Sequence, residues 1–193
     1  MNTPSHYILN LAILGKTIAP DANVAITIGA VLPDLPIFIF YLVTKFVYKL
    51  PEQEIWNRVY YEPFWQNLVA IFHSIPLALI GGVLSAYYGW KIGAIFFLSM
   101  ILHSLLDLPV HNDDAHRHFF PFSDYRFISP ISYWDTKHYG NIVALGELSL
   151  VLFVTPLVLN LLNSYLSKSI VIGINLLYII FYLRFYLLAK ISN

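Results

Sequence analysis

Residues 92–108 read IGAIFFLSMILHSLLDL, and this stretch decides how the chain folds. It is apolar from Ile92 to Leu102, apart from Ser99, and then carries His103 and Asp107 four positions apart. A run of this length approaches the roughly 20 residues that take a helix across a bilayer core of about 30 Å. Positions i and i+4 project from one helix face. His103 and Asp107 therefore offer an imidazole and a carboxylate from adjacent turns, a spacing that suits two ligands of one metal ion. Ionisable groups inside such a span are costly and as a rule functional.

The rest of the chain repeats the pattern. Val24–Val43, Leu68–Tyr88, Ile142–Leu162 and Ile170–Leu188 are also long and apolar, and Tyr7–Ala19 is apolar but shorter, which suits a re-entrant or core helix. Thr3 or Ser5 is placed to cap that first helix, with Pro4 in its first turn. The expectation is an all-α integral membrane bundle, with about five transmembrane helices plus a short N-terminal membrane helix. It forms one membrane-embedded domain over residues 1–193, with a polar His/Asp-rich loop at about 109–140. Composition agrees: 58% of residues are hydrophobic and 11% charged, against roughly 25% charged in soluble domains. Mean hydropathy is +0.66. Tyr and Trp gather near the segment ends, as in interfacial belts.

Other classes are excluded. Lys plus Arg equals Asp plus Glu and no basic tract occurs, so nucleic acid is not an expected partner. Cysteine is absent, which removes disulfides, thiolate sites and Cys nucleophiles. Met1–His6 lacks a secretory signal, so the N-terminus is expected to stay in place. Alternation of the five long segments puts Lys45, Lys49, Arg58, Arg117, Arg126, Lys137 and Lys190 on one side, with Arg184 near it. Lys16, Lys91 and Lys168 fall on the other. The richer side is the cytoplasmic one, which makes the cell membrane the expected location.

The remaining intramembrane ionisable residues are few. Asp34 lies between Pro33 and Pro36, where a broken helix can free backbone groups toward a cavity. His73 lies in the second long segment and Glu147 early in the fourth. With His6 they converge on the cytoplasmic half beside His103 and Asp107. His111 continues the i+4 spacing past Pro109, and Asp113, Asp114, His116, Arg117 and His118 follow at once. Blander roles exist: Glu147 can favour a helix start, and His138 can simply be exposed. Ser74 and Ser104 each follow a His, which allows a Ser-His-Asp hydrolase, although adjacent positions diverge on a helix.

The motifs Thr3-Pro4-Ser5-His6, Gly29-Ala30-Val31-Leu32-Pro33-Asp34, Phe72-His73-Ser74 and Leu102-His103-Ser104-Leu105-Leu106-Asp107, followed by Pro121-Phe122, resemble the bacterial membrane-bound metal-dependent hydrolase family over about residues 3–125. More distantly, the order His6, Asp34, His73, His103, Asp107, His111 and a late acid is similar to that of zinc-dependent phospholipase C and the related single-strand nucleases. Their late His-x3-acid pair has no counterpart, since His138 and Glu147 stand nine apart, which implies a smaller centre of one or two ions.

The resemblance implies metal-dependent hydrolysis of a phosphoester in a lipid or other membrane-accessible substrate. His6, Asp34, His73, His103, Asp107 and His111 are the expected metal ligands. Asp113, Asp114 or Glu147 is the expected general base or bridge to a second metal. Arg117 and Arg126, with His116 and His118, are expected at the substrate phosphate. Zinc suits the imidazole-rich set, and the carboxylates leave manganese or magnesium open. Two other readings use the same residues: a divalent-metal transporter or channel, and a non-enzymatic membrane protein with a structural metal site.

Overall fold

Prolines and caps set where the helices begin and end. The computed structural model describes residues 1–15, 19 and 21–188. Helix α1 (Thr3–Asn10) has Pro4 in its first turn and runs on as a π-type turn, Leu11–Gly15. Helix α2 (Asn23–Val31) passes through a 3-10 turn at Leu32–Asp34 into α3 (Leu35–Leu42). Pro33 brings no N–H to that turn, so the α-helical ladder cannot continue through it. Next come α4 (Glu52–Asn57), α5 (Pro63–Phe72), α6 (Ile75–Tyr87) and α7 (Lys91–Asp107). Helices α8 (Gly140–Leu161) and α9 (Tyr165–Tyr182) end the chain, α9 continuing as a π-type turn at Leu183–Leu188. No strand occurs among the described residues.

Four stretches are long and apolar enough to cross a membrane: Asn23–Val47, Lys91–Val110, Gly140–Leu161 and Tyr165–Phe185. A fifth exists if the bent pair α5 and α6 is counted as one span. Helix α7 lies between α2 and α6, α1 packs on α2 and α8, and α8 pairs with α9. Ile8, Leu11 and Leu14 of the first segment are buried against Ile26, Val151, Val158 and Val171. The short first segment is thus a core element. A second cluster joins Phe40, Ile55, Val59, Tyr60 and Trp65 beside α4.

Three sequence expectations are corrected. Leu68–Tyr88 is not one continuous helix: it breaks at His73–Ser74 with a 41° bend. Ser74 accepts from the Leu77 N–H as N-cap of α6, and Pro76 sits in the first turn, so a new helix starts there. The last span starts at Tyr165 rather than Ile170, because Tyr165–Lys168 already form its first turn. Neither Thr3 nor Ser5 caps α1: Asn2 holds the cap position with no side-chain cap bond, and both hydroxyls are used elsewhere. Lys16 and Lys190 lie outside the described residues, as does part of Tyr7–Ala19.

Between α7 and α8 the chain is a loop with only single 3-10 turns, Leu108–Val110 and Thr136–His138. It is tied down at several points. The Ile75 N–H donates to the His118 carbonyl (2.9 Å), the Ser74 hydroxyl donates to the Phe120 carbonyl, and the Ser129 N–H donates to the His111 carbonyl (2.9 Å). This loop closes over the end of the bundle where α2, α5 and α7 bring their polar residues.

Candidate metal centre

Two histidines are held so that the same ring nitrogen of each faces the same point. His103 Nδ1 lies 2.7 Å from the Ala30 carbonyl, and His73 Nδ1 lies 3.0 Å from the Val69 carbonyl. A carbonyl can only accept, so both Nδ1 atoms carry a proton, and in the neutral ring each Nε2 then presents its lone pair. This is how second-shell carbonyls orient metal-binding histidines. The Ala30 carbonyl lies where α2 gives way to the 3-10 turn, and His73 follows the last residue of α5. The two helix ends thus supply the acceptors.

Two carboxylates face those nitrogens. Asp34 Oδ1 is 3.5 Å from His73 Nε2 and 3.6 Å from His103 Nε2, and Asp107 Oδ2 is 3.8 Å and 3.1 Å from the same atoms. Both Nε2 atoms are buried and make no hydrogen bond. Leaving buried polar atoms unpaired is expensive, and the spacing is that of ligands around an ion. A tetrahedral ion with bonds of about 2.0–2.1 Å has ligand atoms about 3.3 Å apart. Asp34, His73, His103 and Asp107, all buried, are therefore one group that fits a metal ion. Thr3 donates its hydroxyl to the other oxygen of Asp34 and fixes the carboxylate's rotation.

Asp107 belongs to a second group as well. Its Oδ1 faces away from the first, toward His6 Nε2 (2.9 Å), His111 Nε2 (3.1 Å) and the Met1 nitrogen (2.6 Å). Asp107, His111 and His116 offer atoms within 4.8 Å of one another. His6 also stacks on His103, ring centroids 3.6 Å apart. The loop thus brings imidazoles of its own into the cluster: the His116 ring lies 4.1 Å from that of His73. Burial holds the His116 imidazole well below the ordinary histidine range, with His73 and His111 adding to the effect. Burial and the nearby His73 bring His118 down to about 3. Both rings are neutral, the form that ligates. His118 is buried with neither nitrogen paired.

The other expected site residues are placed as follows. Asp113 is exposed and Asp114 half-buried, and both line a chamber of about 720 Å3 that also reaches Asp34, His111 and His116. Asp114 Oδ2 lies 3.0 Å from His111 Nδ1 and accepts from the Trp134 indole at 3.2 Å. Glu147 stands apart from both ligand groups. It accepts from the Asn2 backbone and side chain (3.0 Å each), Ser5 (2.6 Å) and Tyr178 (3.2 Å). It lies two turns inside α8 and so does not cap it, but anchors the strand of chain that carries Thr3 and His6. The Ser74 and Ser104 hydroxyls donate to the Phe120 and His73 carbonyls, which commits both to backbone positions.

Neither Arg117 nor Arg126 lines the chamber. Arg117 bonds Asp124 (2.8 Å) and Asn67 (2.6 Å), and Arg126 donates to the Ala115 carbonyl (2.9 Å) and to Gln66 (2.7 Å). Both strap the loop onto α5. Arg126→Ala is expected to speed amide exchange across residues 111–118 and leave α7 protected, at a cost of about 1 kcal/mol for two charge-assisted bonds at a half-buried site. Hydrogen exchange with mass spectrometry checks it; equal exchange in the variant would mean that the strap carries no load.

Comparison with known proteins adds nothing to the geometry. No protein-family model, curated protein or solved structure matches the chain.

Proposed function

We propose that the chain is an integral membrane protein that hydrolyses a phosphoester of a lipid or other membrane-accessible substrate with the help of one or two divalent ions, zinc first among them. The observation that carries this reading is the pair of buried, unpaired Nε2 atoms of His73 and His103, aimed between Asp34 and Asp107. The resemblance to the membrane-bound metal-dependent hydrolases supports the same reading.

A divalent ion held there supplies Lewis-acid chemistry, polarising a phosphoryl oxygen and acidifying water toward a pKa of about 7. The chain's own groups do the rest. The Thr3 hydroxyl and the Ala30 and Val69 carbonyls hold the ligands in one orientation before substrate arrives. Asp113 and Asp114, at the chamber wall, are within the space a substrate would occupy and can accept a proton. Asp107 uses its two oxygens on opposite sides, the arrangement a second ion would need.

The membrane reading places five spans around the core helix α1, with the chamber on the side rich in Lys45, Lys49, Arg58, Arg117, Arg126 and Lys137, the cytoplasmic face of the cell membrane. A transporter would need a polar route to the opposite face. Below His103 the face of α7 continues with Ser99, which is bonded to Asn10 and to the Ile26 carbonyl. These groups are neutral, and no acidic residue or histidine follows them within the described helices. A hydrolytic pocket closed at its base fits better.

The test is hydrolysis of a chromogenic phosphodiester by zinc- or manganese-loaded protein in detergent. Activity is expected to vanish on chelation, return with the ion, and fall by at least about 100-fold in Asp34→Asn, since even second-shell losses at metal sites cost 10–100-fold. Metal-bound protein that stays silent with phosphodiester, phosphomonoester and phospholipid substrates would favour a structural site instead.

A further inference from the structure

A groove of about 420 Å3 lies between α8 and α9, lined by Ala144, Leu148, Ile174, Leu177 and Phe181, with Phe185 just beyond α9. Thr155–Asn175 and Glu147–Tyr178 bonds pair the two helices antiparallel, so the second half of α9 lies beside the first half of α8. This is the end of the bundle that holds the metal ligands. The α9 side of the groove extends from Ile174 to Phe185 in the turn that continues the helix, eleven steps along the axis, or about 16 Å at 1.5 Å per residue. Half of a hydrocarbon core of about 30 Å is about 15 Å. The groove is therefore as deep as one leaflet.

It also adjoins the site. Asn2 and Pro4 line this groove and the metal-side chamber alike, so one short strip of chain is the wall between them. The groove's polar corner is Asn2 and Tyr178, both bonded to Glu147, whose second oxygen has no partner. Only 11% of the α9 span is buried within the protein, against 39% for Asn23–Val47. The groove thus opens where bilayer lipid would surround the chain.

We propose that this groove seats one acyl chain of a phospholipid from the site-side leaflet, with the headgroup reaching across the Asn2–Pro4 strip to the metal ligands. The inference rests on the phosphoesterase reading and narrows its substrate to a lipid. A soluble phosphoester would need the chamber alone and would leave a leaflet-deep apolar slot beside it without use.

The test uses the full chain in nanodiscs of phosphatidylethanolamine and phosphatidylglycerol, doped with a phosphatidylethanolamine bearing a diazirine in one acyl chain. After irradiation, peptide mapping is expected to find labelling of the Ala144–Leu148 and Ile174–Phe181 segments roughly tenfold above that of exposed Val83 and Leu84 on α6, a tenfold preference in occupancy. Leu177→Trp, and Ala144→Leu on the facing wall, are each expected to remove the groove labelling and keep both the α6 labelling and the metal content. Even labelling of α6 and α9 would mean ordinary boundary lipid and would overturn the inference. So would crosslinks between two copies through α9, which would make the groove a protein interface. Metal content separates the two readings: metal-bound protein with an unlabelled groove sinks the lipid inference alone, and labelled, metal-free protein sinks the hydrolase.

Discussion

Elemental mass spectrometry of detergent-purified protein is expected to find about one to two divalent ions per chain, and none in a His103→Ala, Asp107→Ala double variant. The size of the effect follows from the shared position of Asp107. It faces His73 and His103 with one oxygen and His6 and His111 with the other, so its loss opens both ligand groups together. His103 removes a second ligand and the ring on which His6 stacks. A thermal readout separates lost binding from lost folding. Free zinc at 100 times its dissociation constant stabilises a protein that binds it by about 2.7 kcal/mol, so zinc should raise the wild-type melting temperature and leave that of the variant unmoved. If the wild type stays metal-free after incubation with zinc and manganese, the hydrolase reading falls and the cluster becomes a packing or proton-transfer network.

How much of this centre was legible depended on how local each contact is. His103 and Asp107 sit on one helix, four residues apart, and their pairing follows from helical geometry alone. Asp34 was marked by the prolines around it, which produce the 3-10 turn. His73 was harder, because an apolar run reads as continuous through Phe72-His73-Ser74-Ile75-Pro76. The signal was present as a Ser N-cap with Pro close behind, and the break it makes leaves His73 at a helix end with its ring bonded to the last turn. The loop histidines carried no such signal. Whether His116 touches substrate or faces the ligands depends on a strap between Arg126 and Gln66, sixty residues apart, and no periodicity encodes that. Glu147 was readable in depth but not in role, since Asn2, Ser5 and Tyr178 come from opposite ends of the chain.

Gly29→Val is the substitution expected to damage the fold most. A Cβ at position 29 would lie 2.4 Å from the Phe96 carbonyl oxygen and 2.8 Å from Ser99 Cβ, both on α7. The first neighbour is backbone and cannot rotate away, so α2 must lift from α7 to admit even one carbon. Overpacking usually costs about 1–3 kcal/mol. Against a backbone atom, and with a branched side chain, the upper end or beyond is expected, out of the roughly 5–15 kcal/mol that holds a domain. The consequence also reaches the site, because the Ala30 carbonyl that orients His103 is the next residue and Asp34 lies one turn on. Gly29→Ala should show a weaker form of both effects, lower melting temperature and lower metal affinity together. Gly146→Ala is the control, with no atom within 4 Å of the added carbon and an expected change of under about 1 kcal/mol. Thermal melts and zinc titration of the three variants check this. A Gly29→Val protein that melts like the wild type would mean that α2 and α7 are not packed this closely. One that melts early but binds zinc unchanged would mean that the ligand geometry does not depend on the α2–α7 contact.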